Sequence, residues 1–187
     1  MSAGTPTILV VGDSLSSGHG VPTSKSWVSL LKSRLREQGF PHEVINSSVS
    51  GDTTTNGVTR IRASLERHRP TIVILELGGN DGLRGLPIES VRANLAAMIE
   101  VAHEFGARVL LAGMRLPPNY GAAYVGRFER LYRDLASAYD TSLIPFFLEG
   151  VAAVPGMMQS DGIHPSEPAQ AVILDTVWEH VQPLLMP

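Results

Sequence analysis

Thr7-Ile8-Leu9-Val10-Val11, ended by Gly12, and Thr71-Ile72-Val73-Ile74-Leu75-Glu76-Leu77, ended by Gly78-Gly79, decide the fold. A strand with one wet face alternates apolar and polar residues, whereas a strand buried on both faces is apolar throughout. Both runs are of the second kind, apart from Glu76, and Arg108 to Ala112 (RVLLA) reads the same way. Shorter strands are expected at Glu43 to Asn46 and at Ser142 to Ile144. The segments between them repeat at helical period. Ser24 to Gln38 puts Trp27, Leu30, Leu31 and Leu35 on one face, with Gly39 as its stop. Val58, Ile61 and Leu65 mark a second helix, which ends before Pro70. Val91, Leu95, Met98, Ile99, Ala102 and Phe105 form a third stripe, followed by Gly106. Tyr124, Phe128, Leu131, Leu135 and Tyr139 form another, and Leu174, Val177, Trp178 and Val181 a last one, closed by Pro183. Strands alternating with helices in this way predict an α/β fold, a parallel sheet covered on both faces. Right-handed crossovers then bring the C-terminal ends of all strands to one edge, where such folds bind ligands.

The bulk properties narrow the function. The chain has 187 residues, a formal net charge of -3 and no block of like charge, so it carries no nucleic-acid footprint and no polybasic anchor. It has no cysteine, which excludes disulfides and thiolate chemistry. No cluster of His, Asp and Glu has metal-ligand spacing, so neither a metal nor a cofactor is expected. With no repeat and no low-complexity linker, residues 1–187 read as one domain. The start, Met1 to Pro6, has neither a basic nor an apolar signal region. The expected location is periplasmic or secreted if a signal peptide has been removed, and cytoplasmic otherwise. No stable membrane anchor is expected, and the oligomeric expectation is a monomer or weak oligomer.

Three separate segments carry chemistry: Gly12-Asp13-Ser14-Leu15-Ser16, Gly78-Gly79-Asn80-Asp81 and Asp161-Gly162-Ile163-His164-Pro165. Ser14 follows the first strand, where an exposed hydroxyl sits beside backbone N–H groups. Serines in such places ordinarily cap helices. Asp161 and His164, three residues apart, are spaced so that the carboxylate reaches one ring nitrogen and leaves the other for a hydroxyl. The same residues also suit a polar turn. Asn80 follows the third strand and offers an amide to a developing oxyanion, although Asn-Asp-Gly is also a common turn. Gly51 closes the loop after the second strand, where its N–H is a further donor. Asp81 and the buried-looking Glu76 read as structural. The other five histidines lack a partner like Asp161, and His19 has only its nearness to Ser14 in its favour. Together, a nucleophile, a base with its orienter and oxyanion donors are the parts of acyl transfer.

With those residues in view, the chain resembles the SGNH (GDSL) hydrolase family. Gly12-Asp13-Ser14-Leu15 is similar to its nucleophile block, Gly51 to the second block, Gly78-Gly79-Asn80-Asp81 to the third and Asp161-Gly162-Ile163-His164 to the last. Ser50-Gly51-Asp52-Thr53, Glu76 to Gly85, Arg115 to Gly121 and Pro145-Phe146-Phe147 resemble the bacterial multifunctional subgroup of acyl-CoA thioesterase, arylesterase and lysophospholipase. The resemblance implies a three-layer α/β/α fold with a five-stranded parallel, flavodoxin-like sheet. It implies a serine hydrolase of small-molecule acyl esters and thioesters, with Ser14, Asp161 and His164 catalytic and an oxyanion hole from Ser14, Gly51 and Asn80. It also implies a loop, Asp81 to Pro87, that moves on substrate binding, with Gly82 and Gly85 as its hinges. Gly79, Leu83, Leu116 and Pro117 are expected to bind substrate. Two alternatives stand beside this one: a flavodoxin-like phosphate-binding module using Ser14 to Gly18, and a carbohydrate O-acetylesterase with a short, polar pocket.

Overall fold

The computed structural model describes residues 4–186. Its strands are β1 (Thr7–Gly12), β2 (Glu43–Asn46), β3 (Ile72–Glu76), β4 (Arg108–Ala112) and β5 (Ser142–Ile144). Its α-helices are α1 (Ser14–Ser17), α2 (Trp27–Glu37), α3 (Thr54–His68), α4 (Gly79–Leu83), α5 (Ile88–Glu104), α6 (Ala122–Tyr139) and α7 (Ala169–Val181). The strands form one sheet in the order β2-β1-β3-β4-β5. Every neighbouring pair is parallel, with Leu9 beside Ile45 and Val73, and Leu111 beside Leu75 and Leu143. This is the parallel sheet covered on both faces that the uninterrupted apolar runs predicted, and the five-stranded, three-layer α/β/α arrangement that the family resemblance implied.

The helices cover the two faces in two groups. α2 packs against α7, while α3, α5 and α6 pack side by side. The strand order explains the division. The chain steps from β1 outward to β2, then returns past β1 and proceeds through β3, β4 and β5 in the opposite direction. Crossovers of constant hand must therefore change face at that reversal. The reversal opens a crevice outside the C-terminal ends of β1 and β3, and folds of this topology place their ligands there.

Both faces of the sheet are dry. Ile8, Leu9, Val10 and Val11 of β1 and Ile72, Val73, Ile74 and Leu75 of β3 are buried. Trp27, Phe128, Tyr132 and Phe147 fill the space between sheet and helices, and the Trp27 and Phe147 rings meet edge to face at 5.7 Å. Each such side chain taken out of water contributes roughly 1.5–3 kcal/mol. The helix expected from Ser24 starts three residues later. Thr23–Lys25 form a single 3-10 turn, and the Ser26 hydroxyl accepts a hydrogen bond from the Ser29 N–H at 3.3 Å, which caps α2 in front of Trp27. Among the described residues, no helix is long and apolar enough to cross a membrane.

Candidate active site

Ser14 is the first residue of α1, so its N–H has no carbonyl partner within the helix. The preceding Asp13 caps α1, its Oδ1 accepting from the Leu15 N–H at 3.0 Å. The loop between β5 and α7 brings Asp161 and His164 to the same edge. His164 Nε2 lies 3.0 Å from Ser14 Oγ, and His164 Nδ1 lies 2.6 Å from Asp161 Oδ2. Asp161 Oδ1 accepts from the N–H groups of Ile163 at 2.9 Å and His164 at 3.0 Å. The hydrogen bond from the His164 ring, then those two N–H groups, hold the Asp161 carboxyl well below the usual carboxylate range. An ionised Asp161 accepts the proton on Nδ1. The tautomer this selects leaves the Nε2 lone pair facing the serine hydroxyl.

Gly51 lies in the loop after β2 with φ of +84°, a backbone conformation that disfavours any side chain. Among the described residues, no protein acceptor pairs with its N–H. Asn80 sits in the first turn of α4, not in the open turn that Gly-Gly-Asn-Asp-Gly suggested. Its Nδ2 donates to Asp13 Oδ2 at 3.0 Å and to the Asp52 carbonyl at 2.9 Å. These two bonds hold the amide in one orientation at the edge beside Ser14. Asp81 is structural, as expected. It is buried and accepts from the Thr54 N–H at 2.9 Å and the Thr54 hydroxyl at 2.6 Å, which ties α4 to the start of α3.

Two carboxylates lie beneath Ser14. Glu76 is completely buried, and its Oε2 accepts from Ser16 Oγ at 2.6 Å and from the Asp13 N–H at 3.3 Å. Burial, and next the proximity of Asp13, push the Glu76 carboxyl well up. Burial also raises Asp13 to about 6. The Leu15 N–H and His164 work against that rise, and Asp52 and Asp81 add to it.

A cavity of about 400 Å³ opens beside Ser14. Gly79, Leu83, Leu116 and Pro117 all stand in its wall, with Leu15, Met114, Phe146, Leu148, Met158 and Ile163. The wall is largely apolar. Its one arginine, Arg115, is paired with Glu129 at 2.5 Å and Glu149 at 3.6 Å, and lies over the Phe146 ring at 4.6 Å. Among the described residues, no group of three His, Asp or Glu side chains is placed to hold a metal ion.

The structure redraws the expected hinge segment. Gly82 is part of α4, and a Cβ there would lie 2.6 Å from Leu116 Cδ2 and 2.8 Å from Phe128 Cζ. It is glycine for close packing rather than for backbone freedom. The Tyr120 hydroxyl donates to the Leu83 carbonyl at 2.9 Å and the Tyr124 hydroxyl to the Leu86 carbonyl at 2.8 Å, so both ends of the turn are held. Gly85 has φ of +65°, a conformation that glycine adopts without strain.

Two residues of the site had little or no signal in the sequence. The His19 ring packs on that of His164, with centroids 4.3 Å apart. Gln159 Nε2 donates to the His19 carbonyl at 2.8 Å and the Pro165 carbonyl at 2.9 Å, stitching the segment after Ser14 to the loop of His164. No local pattern marks a glutamine whose two partners lie in different loops.

Known proteins are similar to this chain in sequence and fold. Residues 10–172 match the model of the GDSL-like lipase/acylhydrolase family. Esterase TesA of Pseudomonas aeruginosa is 50% identical over 183 residues, covering 98% of this chain and 91% of TesA. Thioesterase 1/protease 1/lysophospholipase L1 of Escherichia coli K12 is 40% identical over 184 residues, covering 98% of this chain and 87% of its own. A crystal structure of TesA superposes with a TM-score of 0.94 at 49% identity, covering 96% of this chain and 99% of that one.

Proposed function

The chain belongs to the GDSL-like lipase/acylhydrolase family, and on that footing we propose that it is a serine hydrolase of carboxylic acyl esters and thioesters working through an acyl-enzyme on Ser14. The observation that carries this is the unbroken line from Asp161 through His164 to Ser14 Oγ, with links of 2.6 and 3.0 Å, beside an apolar cavity.

In the first half of the reaction His164 Nε2 takes the Ser14 proton as Oγ attacks the acyl carbonyl. Asp161 holds the ring in the right tautomer and stabilises the imidazolium. The negative charge on the tetrahedral oxygen is met by the N–H groups of Ser14 and Gly51 and by the Asn80 amide. The imidazolium then gives its proton to the leaving alcohol or thiol. In the second half the same histidine takes a proton from water as the water oxygen attacks the acyl carbon, and returns it to Ser14 Oγ as the acyl–Oγ bond breaks and the acid leaves. Leu83, Leu116 and Phe146 receive the acyl chain and exclude water around it. Every group named comes from one chain, so this activity needs no second copy.

The apolar wall favours acyl chains longer than acetyl over the O-acetylesterase alternative. A phosphate-binding module of the same topology leaves the Asp161–His164–Ser14 line without a task. Hydrolysis of a p-nitrophenyl ester series from acetyl to palmitoyl, by wild type and Ser14→Ala side by side, tests the proposal. Turnover is expected from wild type alone, extending beyond acetyl. An active, folded Ser14→Ala variant overturns it.

A further inference from the structure

The three proposed oxyanion donors come from the three loops that leave β1, β2 and β3, two of which carry a short helix, α1 with Ser14 and α4 with Asn80. Ser14 follows β1, Gly51 follows β2 and Asn80 follows β3. Paired bonds already join neighbouring loops, Val49 N–H to the Gly12 carbonyl at 3.0 Å, Asn46 Nδ2 to the Ser16 carbonyl at 2.8 Å and Arg84 to the Gly51 carbonyl at 3.2 Å, yet three donors must converge on a single oxygen. We infer that Arg60, on α3, is a positioning residue that ties all of these loops together through one side chain. The inference rests on the oxyanion reading above.

The Arg60 guanidinium is largely enclosed, its side chain 22% exposed. Its Nε donates to Asp52 Oδ2 at 2.6 Å, one terminal nitrogen donates to the Ser47 carbonyl, and the other donates to the Gly12 carbonyl at 3.1 Å. Each acceptor belongs to a part of the proposed hole. Gly12 ends β1 two residues before Ser14. Ser47 opens the loop in which Gly51 lies. Asp52 follows Gly51 directly, and its own carbonyl is the one that receives the Asn80 amide at 2.9 Å. One planar fork therefore holds two of the three loops directly, and reaches the third through Asp52. A guanidinium suits this task because its five N–H donors lie in a fixed plane, while a lysine ammonium is a point charge on a flexible stem. Arg60 also brings a positive charge to a region where Asp13, Asp52, Glu76 and Asp81 are all buried. It does not line the cavity, so it acts through the loops and not on substrate.

The role separates from plain stabilisation because it concerns the tetrahedral state. Arg60→Met and Arg60→Lys are to be compared with wild type for thermal unfolding, for kcat and KM on a p-nitrophenyl ester, and for inhibition by an alkyl trifluoromethyl ketone, which forms a tetrahedral adduct on the serine. Misplacing catalytic groups by about 1 Å lowers rates on the order of 100-fold. Arg60→Met is expected to lose kcat on that scale with KM little changed. Its affinity for the ketone should fall by the same factor as kcat/KM. Arg60→Lys, which keeps the pair with Asp52 but not the span, should fall between the two, and it carries the test if the Met variant does not fold. Because Arg60 acts partly through Asn80, the losses in Arg60→Met and Asn80→Ala should combine to less than their product. Folded Arg60 variants with wild-type kcat and ketone affinity overturn the inference. So does a loss confined to KM or to thermal stability. If Asn80→Ala is itself fully active, the oxyanion reading fails instead.

Discussion

Asp13 stands at the meeting point of nucleophile and oxyanion hole, and replacing it by Asn is expected to make the protein better folded and a worse enzyme at the same time. Burial raises its carboxyl from an ordinary 3.8 to about 6. Between those values the native state binds more protons than the unfolded chain, so stability falls as pH rises through that window and stays lower above it. Roughly two pH units at about 1.4 kcal/mol each make the penalty at neutral pH about 3 kcal/mol. The neutral amide removes that penalty. Asn caps a helix about as well as Asp, so the bond from the Leu15 N–H survives. The bond from Asn80 does not, because an amide nitrogen replaces one carboxylate oxygen and faces another donor. A buried polar group left unpaired costs roughly 1–3 kcal/mol, whatever the pH. Asp13→Asn should therefore be less stable than wild type near pH 4 and roughly 1 kcal/mol more stable near pH 8, a swing of about 3 kcal/mol. Releasing Glu76 from the neighbouring charge adds to the swing in the same direction. Urea unfolding followed by tryptophan fluorescence across this range measures it. The loosened Asn80 amide should lower kcat throughout. Stability curves for wild type and variant that run parallel from acid to alkaline pH refute the reasoning.

Two further substitutions test the cavity and the triad. Gly82→Ala places a methyl against Leu116 and Phe128. Overpacking of this kind costs roughly 1–3 kcal/mol, offset by up to about 1 kcal/mol of helix propensity. Because Leu116 lines the cavity, its displacement inward should also lower the long-chain to short-chain ratio of kcat/KM across the ester series, and an unchanged ratio counts against that wall. Asp161→Asn keeps the shape of the triad but withdraws the charge that selects the His164 tautomer. Steady-state kinetics should show kcat falling by about 10⁴-fold, and a fall of less than tenfold would remove Asp161 from the mechanism.

The fold was legible because its strands are buried on both faces. TILVV, TIVILEL and RVLLA need no neighbour to be recognised, and the stretches between them carry clear helical stripes. α4 was not legible. Its five residues include two glycines, whose intrinsic preference is against helix, and what holds it is tertiary, through Asp81 on Thr54 and the close approach of Gly82 to Leu116. The start of α2 was misplaced because Ser24 and Ser26 are both good caps, and only the actual turn at Thr23–Lys25 separates them. Within the site, Ser14, Asn80, Asp161 and His164 stood out because each sits just past a strand or beside a partner at short spacing. Arg60 did not. Along the chain it looks like Arg62 or Arg67 on the same helix, and its three acceptors lie 48, 13 and 8 residues away. Contacts of that kind leave no periodic trace.

The stitch made by Gln159, together with the docking of α7, bears on when the molecule first becomes competent during its own synthesis. Ser14, Gly51 and Asn80 all lie within the first 80 residues, on the segments that follow β1, β2 and β3. The base and its carboxylate arrive last, just before α7, whose Gln170 side chain accepts from the Trp27 N–H at 3.0 Å, 143 residues upstream. At the usual pace of translation, the interval between Asn80 and His164 leaving the ribosome is about ten seconds. Throughout that time the nascent chain carries Ser14 with neither His164 nor Asp161 beside it. On the proposed mechanism, hydrolytic power thus needs the chain beyond His164. A ribosome that stops short of that residue then releases an inert product, not an unregulated esterase.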